Sequence, residues 1–424
     1  MALLAITVHV CLLSLYWTES PSAASASANP GKTLAGDERT YLEAATRIAA
    51  GDPAAIDSLW PTFYAHTLAW AGTDLRWIQT LQTALLILAA WLTWSLARRW
   101  FDDGLGADLA GWLILLYPPL VAFAHYLWPE VLHLTLFLTA LTLVSTWPRH
   151  PLAAAGAGIT IALCLLTKSL LLPFVPVLAY ALFRAAGPRR WLNLGAATGG
   201  LLATLLLATT LLGDVQLAGS GWFNMWVGLR DTSRVSLEEP IAGEIYKEWR
   251  AAGNTADERD HVARTRIREL IDERGVIDTA WGQLSKQWFR LLDRRSYLTA
   301  QLPGGPLADI GQGYRSSAPN LETIIRATSH GLYALILLGT AWGLTLGLTN
   351  KKRPIHLIAT FLAYNLLLFL ALHVKSRYRI QLLPFLFLLT GYTVDRLDLG
   401  QAKKWWIPAT TLSALLLWFA FSQA

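Results

Sequence analysis

Apolar runs long enough to cross a bilayer, at roughly 17 to 25 residues each, recur along almost the whole of this 424-residue chain. Lipid offers no water to backbone N–H and C=O groups, so each run must satisfy its own hydrogen bonds as a helix. The runs fall at about 2–18, 77–97, 105–126, 131–147, 152–167, 169–185, 192–213, 329–349, 355–373, 380–395 and 405–421. Composition agrees, with 54% hydrophobic and only 15% charged residues, against about a quarter charged in soluble domains. Two sizeable polar stretches remain, 19–76 and 214–328. The expected fold is therefore an all-α polytopic membrane protein, a bundle of about eleven transmembrane helices with interfacial amphipathic helices on its outer face. Its expected parts are an N-terminal bundle (1–213) carrying the outer loop 19–76, an outer-face region (214–328) and C-terminal transmembrane helices (329–424). Residues 1–28 have an apolar run followed by Ala- and Ser-rich sequence, but no Lys or Arg precedes the run, so it is read as an uncleaved first span.

Orientation follows from the short loops. With the N-terminus inside, the cytoplasmic loops receive Arg98 and Arg99, Arg149, Arg184 with Arg189 and Arg190, Lys351 to Arg353, and Arg396 with Lys403 and Lys404, as the positive-inside rule requires. The same reading leaves Lys168, Lys375, Arg377 and Arg379 at the opposite surface. Cations there either snorkel toward headgroups or bind an anion, most simply a phosphate at the lipid–water boundary. The net charge of +6 comes from scattered loop residues without a basic stripe, so nucleic acid is not an expected partner. Cys11 and Cys164 both lie in apolar runs and behave as small hydrophobes.

The polar stretches have legible local structure. Asp37 to Ala50 reads as a surface helix with Tyr41, Ala44, Ala45 and Ile48 on one face. Gly219 to Gly228 is rich in Gly and Trp and is expected to be a loop on the membrane surface. Apolar spacing from Asp257 to Leu292, interrupted at Gly275, predicts two amphipathic interfacial helices. The 20 Trp residues fit anchoring at headgroup level.

No H-E-x-x-H, G-x-x-x-x-G-K-[ST], Cys/His metal spacing or G-x-S-x-G occurs, so zinc and soluble-nucleotide mechanisms lack support. What remains is a set of ionisable residues at one face: Asp37 and Glu38 after the first span, Glu130 at the turn between the third and fourth, Lys168 after the fifth, and Lys375, Arg377 and Arg379 after the ninth. Charges at bilayer borders are costly enough to be functional candidates. Asp37 and Glu38 also suit a helix N-terminus, where acidic residues are favoured. A carboxylate can take a proton from an attacking hydroxyl or amine, while Lys and Arg stabilise the charge on a departing phosphate. That combination suits one-step sugar transfer from a lipid-phosphate carrier.

These residues carry a resemblance to the GT-C superfamily of membrane glycosyltransferases, in particular its branch of protein O-mannosyltransferases and of lipid A aminoarabinose and galacturonic acid transferases. Gly36-Asp37-Glu38-x-x-Tyr41 with Ala49-Ala50-Gly51 is similar to that family's first-loop signature, and Pro61-Thr62-Phe63-Tyr64 to its aromatic continuation. Tyr117-Pro118-Pro119 with Pro129-Glu130, Leu166-Thr167-Lys168, Gly219 to Gly228, and Ser376-Arg377-Tyr378-Arg379 with Leu383-Pro384-Phe385 resemble later segments in the family's order. The resemblance implies a GT-C type bundle and an inverting transfer from a polyprenyl-phosphate sugar to an extracytoplasmic acceptor, whether protein, lipid A-like lipid or surface glycan. It implies Asp37 as general base, Glu38 as an orienting or acceptor-contacting carboxylate and Glu130 as a further acidic partner. It implies Lys168, Arg377 and Arg379 as ligands of the donor phosphate, although Lys168 stands where Arg is commoner and lacks its bidentate fork. No cofactor and no metal are implied. His66 and His125 are read as packing or polar-cavity residues. The expected location is the plasma (inner) membrane, with the site on the extracytoplasmic face. Two other readings are an O-antigen ligase or polymerase, which predicts a His-assisted basic loop late in the chain, and a lipid or solute transporter, which predicts ionisable residues near the midplane.

Overall fold

The computed structural model describes residues 37–52, 62–72, 74–101, 104–212, 220–231, 239–253, 255–301, 319–398 and 405–422. Among them every regular element is helical. The chain begins with α1 (Asp37–Ala49) and α2 (Thr62–Trp70), followed by the long α3 (Leu75–Phe101). The next apolar segment, expected as one span over 105–126, is instead divided into α4 (Leu105–Leu116) and α5 (Pro118–Phe123). Pro118 has no N–H to continue α4 and its ring disfavours helical geometry at Tyr117, while its fixed φ suits the first turn of α5. Then come α6 (Glu130–Thr146), α7 (Pro151–Thr167), a 3-10 segment (Ser169–Phe174), α8 (Val175–Ala185) and α9 (Arg190–Leu212).

The polar stretch holds α10 (Gly221–Arg230), α11 (Glu239–Ala251), α12 (Ala256–Arg274), α13 (Val276–Leu292) and the short α14 (Tyr297–Gln301). The C-terminal part comprises α15 (Pro319–Thr349), α16 (Arg353–Ala371), a 3-10 segment (Ser376–Leu382), α17 (Leu383–Arg396) and α18 (Trp406–Phe421). Helical segments cover ten of the eleven expected spans, that at 105–126 in two pieces; the first, 2–18, lies outside the described residues, as do Gly36, Pro61 and Gly219 of the resemblance motifs. Among the described residues four helical segments can cross a membrane by length and apolar composition: Leu75–Phe101, Gly187–Leu212, Glu322–Thr349 and Arg353–Ala371. Five shorter apolar helices accompany them. The chain is an all-α polytopic membrane protein.

Helix contacts in the bundle rest on small residues, as expected where lipid removes the hydrophobic drive between helices. Gly106 of α4 and Gly391 of α17 meet backbone to backbone, so that a Cβ on either would collide with the other's carbonyl group. Gly158 of α7 sits likewise against the Ala197 carbonyl of α9. Thr390 and Thr393 of α17 donate to the Ile336 and Gly339 carbonyls of α15 at 3.1 and 2.6 Å.

The stretch from Gly219 to Gly228, expected as a loop, is helical from Gly221 onward. Its own sequence is a poor helix former, and tertiary contacts override that. Trp226, Val227 and Leu229 are buried in a core with Ile245 and Trp249 of α11 and Ala263 and Ile267 of α12. A helix C-terminus leaves its last carbonyls unpaired, and here three side chains supply donors. Lys286 and Gln283 of α13 donate to the Gly228 carbonyl at 2.7 and 3.0 Å, and Arg274 of α12 donates to that of Leu229 at 2.7 Å. The expected helices between Asp257 and Leu292 are α12 and α13, divided at Gly275, whose φ of 82° favours glycine. A capping box between Thr255 and Glu258 opens α12.

Candidate active site

Four chain segments that are distant in sequence converge at one end of the bundle. Asp37 stands in the first turn of α1 and Glu130 opens α6. Lys168 closes α7 in extended geometry, and Arg377 lies in the first turn of the 3-10 segment that follows α16. All four line a cavity of about 160 Å³, together with Tyr41, Tyr378, Lys375 and His373. Its far wall is α10, which presents Ser220, Phe223, Asn224 and Val227, with Ala242 of α11 beside them.

The charges are interleaved. Arg377 pairs with the Asp37 carboxylate, and its Nε lies 3.8 Å from Glu130 Oε1. Lys168 donates to Glu130 Oε1 at 2.9 Å. Aromatic faces hold both cations: the Arg377 guanidinium lies 4.7 Å from the Trp128 ring centre, and the Lys168 ammonium 4.8 Å from that of Tyr378. A desolvated cation gains most from such a ring.

Burial works against ionised Asp37, but Arg377, Lys375 and Lys168 outweigh it and hold the carboxyl below its ordinary value. Burial lowers the Lys168 ammonium despite the opposing pull of Glu130. For Arg377 burial is outweighed by Asp37 and Glu130, which raise it well above its ordinary value. Burial, then Asp37 and Glu130, push the Tyr41 phenol well up, so that it stays a neutral hydrogen-bonding group. Two ion pairs thus stand ready in a low-dielectric pocket, where electrostatic effects are strongest.

Two other candidates point elsewhere. Glu38 is 1% exposed and accepts from the Leu127 N–H at 2.9 Å, on the side of α1 that faces the turn after α5; it is not part of the cavity wall. This contact fixes the turn that precedes Glu130, so Glu38 acts through backbone placement. Glu38→Ala is expected to cost about 1–3 kcal/mol by stranding that buried donor. Glu38→Gln, which keeps an acceptor oxygen, is expected to recover most of it, as read by thermal unfolding in detergent. Arg379 is also buried, donating to the Asp293 carbonyl and lying 4.3 Å from the Tyr333 ring centre, and it does not line the cavity. His66 packs against Trp70 at 6.0 Å between ring centres, and His125 is 1% exposed.

Lys375 is among the sequence candidates as a cation opposing topology, but the resemblance assigns it no role; two further parts of the cavity wall are not among those candidates. Residues 220, 223, 224 and 227 recur at the i, i+3, i+4, i+7 spacing of one helical face, a pattern hidden by the expectation of a loop. His373 carries no such signal, because it closes the expected span 355–373. Among the described residues no group of three or more His, Cys, Asp or Glu side chains is placed to hold a metal ion.

Fold and cavity together define a membrane-embedded helical bundle with a mixed-charge pocket at one end. No protein-family model and no curated protein matches the chain. Similar solved structures include ArnT from Cupriavidus metallidurans in the apo state, at 14% identity and a TM-score of 0.33, covering 93% of this chain and 78% of that one. The same protein bound to undecaprenyl phosphate gives 14% identity and a TM-score of 0.37 over 92% and 78% of the two chains. The archaeal oligosaccharyltransferase AglB from Archaeoglobus fulgidus, in complex with an inhibitory peptide and a dolichol-phosphate, gives 14% identity and a TM-score of 0.46. That match covers 99% of this chain and 54% of AglB, so the chain spans about half of AglB's length.

Proposed function

We propose that the protein is an inverting glycosyltransferase that moves a sugar from a polyprenyl-phosphate donor to an acceptor outside the cytoplasm. The observation that carries the reading is the convergence of Asp37, Glu130, Lys168 and Arg377 on one cavity. The motif resemblance to GT-C enzymes supports it. Three cations (Lys168, Lys375, Arg377) against two carboxylates (Asp37, Glu130) leave one positive charge on the cavity wall, which suits a phosphodiester monoanion.

The donor phosphate takes Arg377 and Lys168, and so competes with Asp37 for the guanidinium. That loosens the Asp37–Arg377 pair and makes the carboxylate a stronger base when donor is present. The acceptor oxygen attacks the anomeric carbon as the bond from that carbon to the phosphate oxygen breaks. The phosphate leaves with the bonding electron pair, held by Arg377 and Lys168, and the acceptor proton passes to Asp37. Attack opposite the leaving group inverts the configuration. Glu130 holds Lys168 and Arg377 in place between them. In this reading the site faces the extracytoplasmic side of the plasma membrane, and residues 214–328 select the acceptor.

The test is deletion of the gene followed by mass spectrometry of lipid-linked sugars and surface glycans. The expected result is accumulation of one polyprenyl-phosphate sugar and loss of one sugar from a surface glycan, protein or lipid. Unchanged profiles in both pools would sink the reading.

A further inference from the structure

The cavity is chemically divided. Its charged lining comes from α1, the start of α6, Lys168 and residues 375–377, whereas α10 and α11 contribute Ser220, Phe223, Asn224, Val227 and Ala242, none of them ionisable. His373 stands where the two parts meet. Its backbone N–H donates to the Asn224 carbonyl of α10 at 2.9 Å, and Gly228 packs so closely that a Cβ there would collide with the His373 backbone. The His373 backbone is thereby fixed against α10, and the residue lines the cavity.

Its ring is unusual in its surroundings. His373 is 4% exposed, and neither ring nitrogen has a hydrogen-bond partner among the described residues. Nδ1 lies 4.0 Å from Asp231 Oδ2, and that carboxylate is held by Arg290 at 2.8 Å. Asp231 thus biases the ring toward carrying its proton on Nδ1, which leaves Nε2 as an acceptor. A buried imidazole with both nitrogens unpaired is costly, and a hydroxyl brought into the cavity would relieve that cost. The Phe223 ring, on the same part of the cavity wall, offers a sugar ring an apolar face.

We propose that His373, backed by Asp231 and Arg290, is a sugar-contacting residue whose imidazole hydrogen-bonds a ring hydroxyl of a hexose seated against α10. This rests on the transferase reading and extends it, by separating a sugar subsite from the phosphate subsite at Lys168 and Arg377. The hydroxyl belongs either to the donor's sugar or to a glycan acceptor.

The purified full chain in detergent, as wild type and as His373→Gln and His373→Ala, would be titrated with undecaprenyl phosphate and with glucosyl and mannosyl undecaprenyl phosphate. Free glucose and mannose would serve as acceptor-side probes. If the donor's sugar is the partner, His373→Ala weakens the better-bound glycosyl lipid about ten- to hundredfold, leaves undecaprenyl phosphate affinity unchanged, and His373→Gln restores part of the loss. If the acceptor is the partner, free-hexose binding falls and both lipids bind as before. Equal weakening of bare and glycosylated lipid with free-hexose binding intact, or no change for any probe, would overturn the sugar assignment while leaving the transferase reading in place. Failure of the wild type to bind any of the three lipids would overturn that reading and this inference with it.

Discussion

Replacing Asp37 with Asn is expected to lower sugar transfer by about 100- to 10,000-fold, the range that loss of a positioned general base produces, with membrane insertion and folding preserved. Asn has nearly the shape of Asp and keeps one acceptor oxygen for Arg377, so the guanidinium retains a partner as well as its contacts with Glu130 and Trp128. What Asn lacks is a basic oxygen to receive the acceptor's proton. Because the loss belongs to the chemical step, it should appear in kcat, with donor KM equal to or below that of wild type, since a neutral Asn competes less with the phosphate for Arg377. A variant turning over within about threefold of wild type would sink Asp37 as the base. Asp37→Glu offers a second measure: it keeps the carboxylate but moves it by one methylene, and a partial loss is expected from misplacement alone.

Arg377 should show the opposite signature. It pairs with Asp37 and lies near Glu130, so Arg377→Ala removes the proposed phosphate ligand and also takes the close ion-pair partner from buried Asp37, while Glu130 keeps Lys168. Breaking a buried pair costs about 3–5 kcal/mol, and the alanine variant is expected to be less stable as well as inactive. Arg377→Lys separates the two effects. Lysine retains the charge, which keeps the pocket compensated, but loses the planar fork that grips phosphate in two places. Losing a charge-assisted hydrogen bond of about 1.5–3 kcal/mol corresponds to a rise in donor KM of roughly 10- to 150-fold, with thermal stability close to wild type. An unchanged donor KM in Arg377→Lys would remove Arg377 from the phosphate site.

The two neighbouring carboxylates show how far local sequence reaches. Sequence alone puts Asp37 and Glu38 together as candidates, on a helix whose buried face is legible in its periodicity. Successive residues on an α-helix diverge by about 100°, so when Tyr41 and Ala45 turn inward only one of the pair can face the cavity. The structure directs Asp37 there and gives Glu38 to the Leu127 N–H. Arg377 and Arg379 part for the same reason in a 3-10 turn, where residues two apart differ by about 240°.

Hydropathy by itself determined that the described chain is a bundle of helices and roughly where ten apolar segments lie, because spanning length and backbone satisfaction are properties of contiguous sequence. Charge placement relative to those segments also drew Asp37, Glu130, Lys168 and Arg377 to one face. Only the tertiary structure decided which carboxylate meets which cation, since Asp37 and Arg377 are 340 residues apart and no local pattern encodes their pairing. It also decided that Gly221–Arg230 is a helix, because donors for its final carbonyls come from α12 and α13. The same docking carries α10 against His373 and so completes the cavity wall.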